Sequence, residues 1–157
     1  MIRAIFEDTR QKEGKHDNIK AYCTEHGIEI IRQQLYVGDY TLITDHSVCI
    51  DTKKDLSELC TDLGNDRSRF MREVARAKRY GIKLIVLTEH GENIKGIPDV
   101  AGWFNPILNP KHPKHNRHAL DGKRLAKRIY DVHISYGTEF LFCTKEETGQ
   151  RIIELLS

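Results

Sequence analysis

The sequence lacks any apolar run approaching the ~18 residues that a membrane-spanning helix needs. Its opening residues, MIRAIFEDTR, pass straight into a strand pattern and lack the layout of a secretion signal. A cytoplasmic protein with no membrane partner is therefore expected. Cysteines are few and scattered: Cys23, Cys49, Cys60 and Cys143 form no CxxC pair. That argues against a zinc knuckle and, inside a cell, against a disulfide framework. A strong charge of one sign is also missing. With 25 Lys and Arg against 23 Asp and Glu the net charge is +2, so only the distribution of charge can mark a nucleic-acid binder.

That distribution is uneven. Residues 67–83 hold Arg67, Arg69, Arg72, Arg76, Lys78, Arg79 and Lys83 against Glu73 alone, and residues 111–128 form a second basic stretch. The 157 residues suffice for one α/β domain with a proper core and are short for two, so residues 1–157 are expected to form one domain.

Hydrophobic periodicity orders the chain. Residues 3–6 alternate as a short strand, and 17–26 carry Ile19, Tyr22 and Cys23 at helical spacing before a stop at Gly27. Residues 29–34 and 36–43 read as neighbouring strands, followed by a strand over 47–51 across the polar turn Thr44-Asp45-His46. Helical patterns cover 55–63 and 66–80; in the second, Phe70, Val74 and Ala77 line one side and leave a face of arginines. The continuous apolar run over 82–88 suits a strand covered on both faces. Residues 89–117 collect all four prolines, Pro98, Pro106, Pro110 and Pro113, and read as a long irregular loop. A helix over 121–136, a strand over 139–143 and a last helix opening at Thr144, with Glu147 completing a capping box, make a helix-strand-helix segment over 121–156. The order predicts an α/β fold with a central mixed β-sheet flanked by helices.

The chemistry concentrates on one hairpin. Asp39 stands near the start of one strand and Asp51 at the end of the next, so antiparallel pairing brings their carboxylates to the same end. Two carboxylates suit Mg²⁺, which keeps several waters and takes few protein ligands plus substrate phosphate; Mn²⁺ is expected to substitute. Lys53, two residues beyond Asp51, shares its strand face, where an ammonium can orient a water and neutralise charge on a phosphodiester under attack. Asp8, at the end of the first strand, is a candidate third carboxylate.

These residues resemble the nuclease domain of the XPF/Hef family, within the larger PD-(D/E)XK nuclease group, whose signature is a GDY turn followed by a Glu-Arg-Lys triplet. Gly38-Asp39-Tyr40 matches the turn, Asp51-Thr52-Lys53 falls where the triplet belongs, and Asp8-Thr9-Arg10-Gln11 is similar to the family's opening D-x-R-E. Arg69-Phe70 is similar to the basic helix start, and LIVLTE, ending at Glu89, to the strand that follows. The motifs cover residues 2–90. The resemblance implies a restriction-endonuclease-like fold and a Mg²⁺-dependent DNA endonuclease leaving a 5′-phosphate and a 3′-hydroxyl. It assigns Asp39, Asp51 and Lys53 to catalysis, Asp8, Asp39 and Asp51 to metal, and Arg10, Arg69, Arg72 and Arg76 to DNA. Four positions depart from the pattern: Asp51 and Thr52 replace Glu and Arg, Gln11 replaces Glu, and Ser57 stands where an Asp is expected, with Asp55 and Glu58 as substitutes.

No helix-hairpin-helix tandem of the kind many relatives use for dimerisation and DNA capture follows the motifs, which bears on branched-DNA specificity more than on catalysis. Besides DNA, a second copy of the chain or a DNA-targeting protein is the candidate partner, with the oligomeric state open. Compact nucleases of this type are similar to proteins carried by bacteria and phages, which implies DNA repair, recombination or phage DNA processing. The rival reading is a degenerate nuclease fold that binds DNA or a partner without cutting. On the irregular loop, His112, His115 and His118 have H-x-x-H-x-x-H spacing. A phosphate-binding strip of the interleaved Lys111, Lys114 and Arg117 is favoured there over zinc, with a plain solvated loop as the alternative. Trp103-Phe104 is expected to pack on the core rather than stack on a base.

Overall fold

The computed structural model describes residues 1–157. Six strands form one mixed sheet: β1 (Ala4–Glu7), β2 (Glu29–Arg32), β3 (Tyr40–Leu42), β4 (Val48–Lys53), β5 (Lys83–Glu89) and β6 (Glu139–Cys143), in the order β2-β1-β3-β4-β5-β6. β3 runs antiparallel to both β1 and β4, while the β1–β2, β4–β5 and β5–β6 pairs are parallel. The segments read as neighbouring strands over 29–34 and 36–43 are thus not neighbours, because β1 lies between them. Chain proximity does not decide that pairing: β1 offers two edges, and the helix α1 (Asp17–Glu25) carries the chain back to make β2 parallel to it.

Period two in the strands builds two cores. Leu84 and Val86 of β5, with Cys49 and Phe140, face α2 (Leu56–Leu63), α3 (Arg67–Arg79), α4 (Ile97–Ala101) and α5 (Gly122–Tyr136). Ile85 and Leu87, with Ile5, Tyr40 and Ile50, face α1 and α6 (Thr148–Leu156). β5 is buried from Leu84 to Glu89, as its unbroken apolar run requires. No helix is long and apolar enough to cross a membrane.

The stretch 89–117 is less irregular than its glycines and prolines suggest. It contains α4, with Pro98 at the second position where a missing N–H costs nothing, and a 3₁₀ turn over Pro106–Leu108. The buried Asn105 caps that turn, accepting from Ile107 N–H at 3.2 Å and donating to Leu120 O at 2.9 Å. Half of the expected capping box is present: Glu147 accepts from Thr144 N–H at 3.0 Å, but a turn intervenes and α6 starts at Thr148.

Below the hairpin, the fully buried Tyr40 donates its hydroxyl to Glu7 Oε2 at 2.8 Å, and both residues are buried in the sheet. Tyr40→Phe keeps the ring and strips a buried carboxylate of its partner. A loss of about 1–3 kcal/mol is expected, read as a lower urea midpoint at unchanged m-value. An unchanged midpoint would mean that Glu7 finds other donors.

Candidate active site

The hairpin places the acids as its register dictates. Tyr40 pairs with Ile50, so Asp39 and Asp51 extend the same end of β3 and β4, and Asp39 N–H donates to Ile50 O at 2.7 Å. Gly38, with φ of +71°, makes the approach possible: a Cβ there would meet Ile50 O at 3.0 Å in a backbone conformation that L side chains resist. Its N–H donates to Glu73 Oε1 on α3 at 2.7 Å, tying the turn to the arginine-rich helix.

Asp51 and Lys53 share one strand face, as period two requires, and Lys54 is exposed. Lys53 Nζ sits 2.9 Å from Asp51 Oδ2 and 2.7 Å from Asp62 Oδ2, with side chains at most about one-tenth exposed. At these distances both contacts are charge-assisted hydrogen bonds, and Lys53 is the one partner of either oxygen. Burial pushes Asp51 up to about 7; Lys53 opposes this, and Asp39 and Asp62 add to it. For Lys53 burial works downward, but Asp51 and Asp62 outweigh it and hold the ammonium above its ordinary range. Burial also raises Asp39, against hydrogen bonds from Thr52, and raises Glu73, with Asp51 adding to the effect.

Asp39 rests in a cradle of neutral donors. Thr52 gives its N–H at 2.8 Å and its hydroxyl at 2.7 Å to Oδ2, and Gln11 Nε2 donates to Oδ1. His16, kept below its usual pKa first by burial, meets Gln11 Oε1 at 3.1 Å and Thr52 Oγ1 at 3.3 Å. Two of the four departures, Thr52 and Gln11, thus form a hydrogen-bond network in place of charged partners.

Asp62 was not legible as a site residue, although it is the charged member of the buried face of α2 that includes Leu59 and Leu63. It pairs with Lys53 and lies 3.9 Å from Arg69. Neither residue considered as a substitute for the missing Asp reaches Lys53. Asp55 caps α2 through Glu58 N–H at 2.8 Å, and Glu58 accepts from Lys54 N–H at 2.8 Å. Glu73, the lone acid of the basic stretch, likewise joins the site only through the fold, by accepting from Gly38 N–H.

Asp8 lines the cleft, and both its oxygens accept hydrogen bonds, as those of Asp39 do. Oδ2 accepts from Arg10 Nε at 2.6 Å and Oδ1 from Leu35 N–H at 3.0 Å. Asp8, Asp39 and Asp51 line one cleft, although no three His, Cys, Asp or Glu side chains converge closely enough to hold a metal ion as they stand. The Asp39 and Asp51 pair suits a hard cation by its donor chemistry, oxygen ligands only.

The cleft, about 430 Å³, carries Arg10, Arg69, Arg72 and Arg76 together with Asp39, Asp51 and Lys53. Arg69 and Arg72 are exposed at its rim while the acids are buried. Arg10 and Arg76 also brace the wall, donating to Leu35 O and Tyr36 O at 2.9 Å each. Lys111, Lys114 and Arg117 are exposed and do not line this cleft. Their loop gives no three-histidine site: His115 Nδ1 meets Ile107 O at 3.1 Å, while His112 and His118 border a separate cavity. Trp103 packs against the core and Phe104 is exposed.

A mixed sheet carrying two acids and a lysine at the shared end of a central hairpin defines a restriction-endonuclease-like domain. Residues 8–154 match the family model of the ERCC4 domain, and the chain belongs to that family, the XPF-type nucleases its motifs resemble. XPF from Aeropyrum pernix superposes with a TM-score of 0.67 at 14% identity, covering 98% of this chain and 63% of that one. XPF from Aeropyrum pernix in complex with DNA gives 0.65 at 15% identity with the same coverage. This chain therefore spans less than two thirds of those proteins' length. No curated protein matches the sequence.

Proposed function

We propose that the cleft is the active site of a divalent-metal-dependent DNA endonuclease. The observation that carries this is the burial of Asp39, Asp51 and Lys53 at one end of β3 and β4, beneath a rim of arginines on α3. Asp39 and Asp51 would hold Mg²⁺ or Mn²⁺, which supplies Lewis-acid polarisation of the phosphodiester and a water acidic enough to attack.

The chain's own residues do the rest. Thr52 and Gln11 fix the orientation of the Asp39 carboxylate, and Glu73 holds the Gly38 turn that delivers it. Asp62 keeps Lys53 charged and aimed into the cleft, where its ammonium orients the water and offsets negative charge developing on the phosphate. Arg69, exposed and only 3.9 Å from Asp62, receives a flanking phosphate, and Arg72 extends the same track. The reading includes products with a 5′-phosphate and a 3′-hydroxyl and a role in DNA repair, recombination or phage DNA processing. A second copy or a DNA-targeting protein would supply substrate selection.

The test is a divalent-cation titration over labelled single-stranded, duplex and branched DNAs. Cleavage that rises with Mg²⁺ or Mn²⁺ and vanishes in chelator is expected, with product ends that a DNA ligase rejoins directly. Cleavage indifferent to chelator would reject the metal-dependent reading.

A further inference from the structure

A second cavity, about 380 Å³, opens on the other side of α2 from the cleft, between that helix, residues 105–120 and the start of α5. Its size falls in the range of small-molecule sites, roughly 300–1,000 Å³. None of its lining residues is acidic. Arg124 and Arg128, four residues apart and so on one face of α5, both border it, and neither forms an ion pair; the ten ion pairs of the chain involve other residues. Arg128 spends one N–H on Leu63 O, whereas no protein acceptor takes the Arg124 guanidinium.

Two histidines add donors. His112 Nδ1 accepts from Lys114 N–H at 3.0 Å, which leaves its proton on Nε2; His118 Nε2 accepts from Arg117 Nε at 3.2 Å, which leaves its proton on Nδ1. Pro106, Ile107, Ala119 and Leu120 supply the apolar part of the cavity's wall. The segment carrying them is anchored by buried Asn105 rather than loose.

We propose that this cavity binds one phosphorylated nucleotide, its phosphate on Arg124 and Arg128 and its base against the Pro106–Leu108 turn and Leu120. Two unpaired guanidiniums at helical spacing repel each other unless an anion sits between them, and Arg is suited to hold phosphate through paired N–H donors. A bare phosphate leaves the apolar wall unused. The site is separate from the Asp39–Asp51–Lys53 cleft and does not depend on how that cleft is read. The nucleotide is either free or the phosphorylated terminus of a DNA strand.

Calorimetric titration of the whole chain in chelator, with a deoxymononucleotide, its unphosphorylated nucleoside, an oligonucleotide with and without its 5′-phosphate, and a short poly-glutamate peptide, tests this. The mononucleotide is expected to bind about 10–100-fold more tightly than the nucleoside, the worth of one or two charge-assisted hydrogen bonds. Arg124→Ala should cancel that gap and Arg124→Lys should restore part of it, with melting temperature unchanged in both. Lys53→Ala should leave it intact, which separates this site from the cleft. An affinity tenfold or more higher for the 5′-phosphorylated oligonucleotide than for the same oligonucleotide without its 5′-phosphate, cancelled by Arg124→Ala, identifies a DNA end as the occupant, and equal affinities of those two identify a free nucleotide. Overturning results are no mononucleotide binding, a phosphate preference that survives Arg124→Ala, loss of binding in Lys53→Ala, or equal binding of poly-glutamate.

Discussion

Asp51→Asn is expected to abolish metal-dependent cleavage and, in the absence of metal, to make the protein more stable. The loss of cleavage follows from removing one of two carboxylates; losing several kcal/mol of transition-state stabilisation corresponds to at least about 1,000-fold in rate. The stability gain follows from burial. An unfolded Asp titrates near 3.9, whereas Asp51 in the fold is pushed up to about 7. Between those values the native state holds a proton that the unfolded state has released, so stability falls as pH rises through that window. At pH 8 the folded protein carries the full cost of an ionised buried carboxylate.

Asparagine is neutral at every pH and removes that cost. Part of the gain is offset, because Lys53 loses one of its two partners and keeps Asp62. A net gain on the order of 1–2 kcal/mol translates to roughly 2–8 °C in Tm for a chain of this size. The shift should be present at pH 8 and absent near pH 4, measured in chelator. A lower Tm at pH 8 would mean that the Asp51–Lys53 pair stabilises the fold, and undiminished cutting by the folded variant would remove this site from consideration.

Lys53→Ala and Lys54→Ala should separate by at least about 100-fold in single-turnover rate, the range lost with one transition-state donor. Lys53 is buried between Asp51 and Asp62, while Lys54 is exposed on the other face of the strand end. Lys53→Ala should also leave Asp51 and Asp62 facing each other without a cation, so the variant should bind divalent metal at least as tightly as wild type while cutting poorly. Equal defects in the two variants would contradict the observed strand register.

The central strand β5 and the strand β6 were legible because their apolar character is continuous or nearly so over strand length, and the arginine face of α3 because its apolar residues recur at helical spacing. The juxtaposition of Asp39, Asp51 and Lys53 was legible for a related reason: a hairpin's register is local, and period two places side chains without reference to anything distant. What escaped detection depends on non-local packing. Asp62 reaches Lys53 only because α2 folds its buried face back over β4, and Glu73 reaches Gly38 across 35 residues. Asp8 ends its strand as expected, and its carboxylate accepts from Leu35 N–H, whose position depends on where residues 33–39 pass. The strand order failed for the same reason, since nothing local says that β1 separates β2 from β3. Helix α4 was hidden by its brevity and by Pro98, which in the first turn of a helix is compatible with it.

The central claim is that the buried pair of acids and Lys53 cut DNA rather than merely mark a fold that holds it. Its most direct test is to measure binding in chelator and cleavage with Mg²⁺ on the same labelled DNAs, for wild type and Asp51→Asn side by side. The account predicts comparable binding by both proteins and cleavage by wild type alone, beginning only when the cation is added. Wild-type protein that binds the DNAs and cuts none of them at any Mg²⁺ or Mn²⁺ concentration would contradict it and leave a DNA-holding module in place of an enzyme.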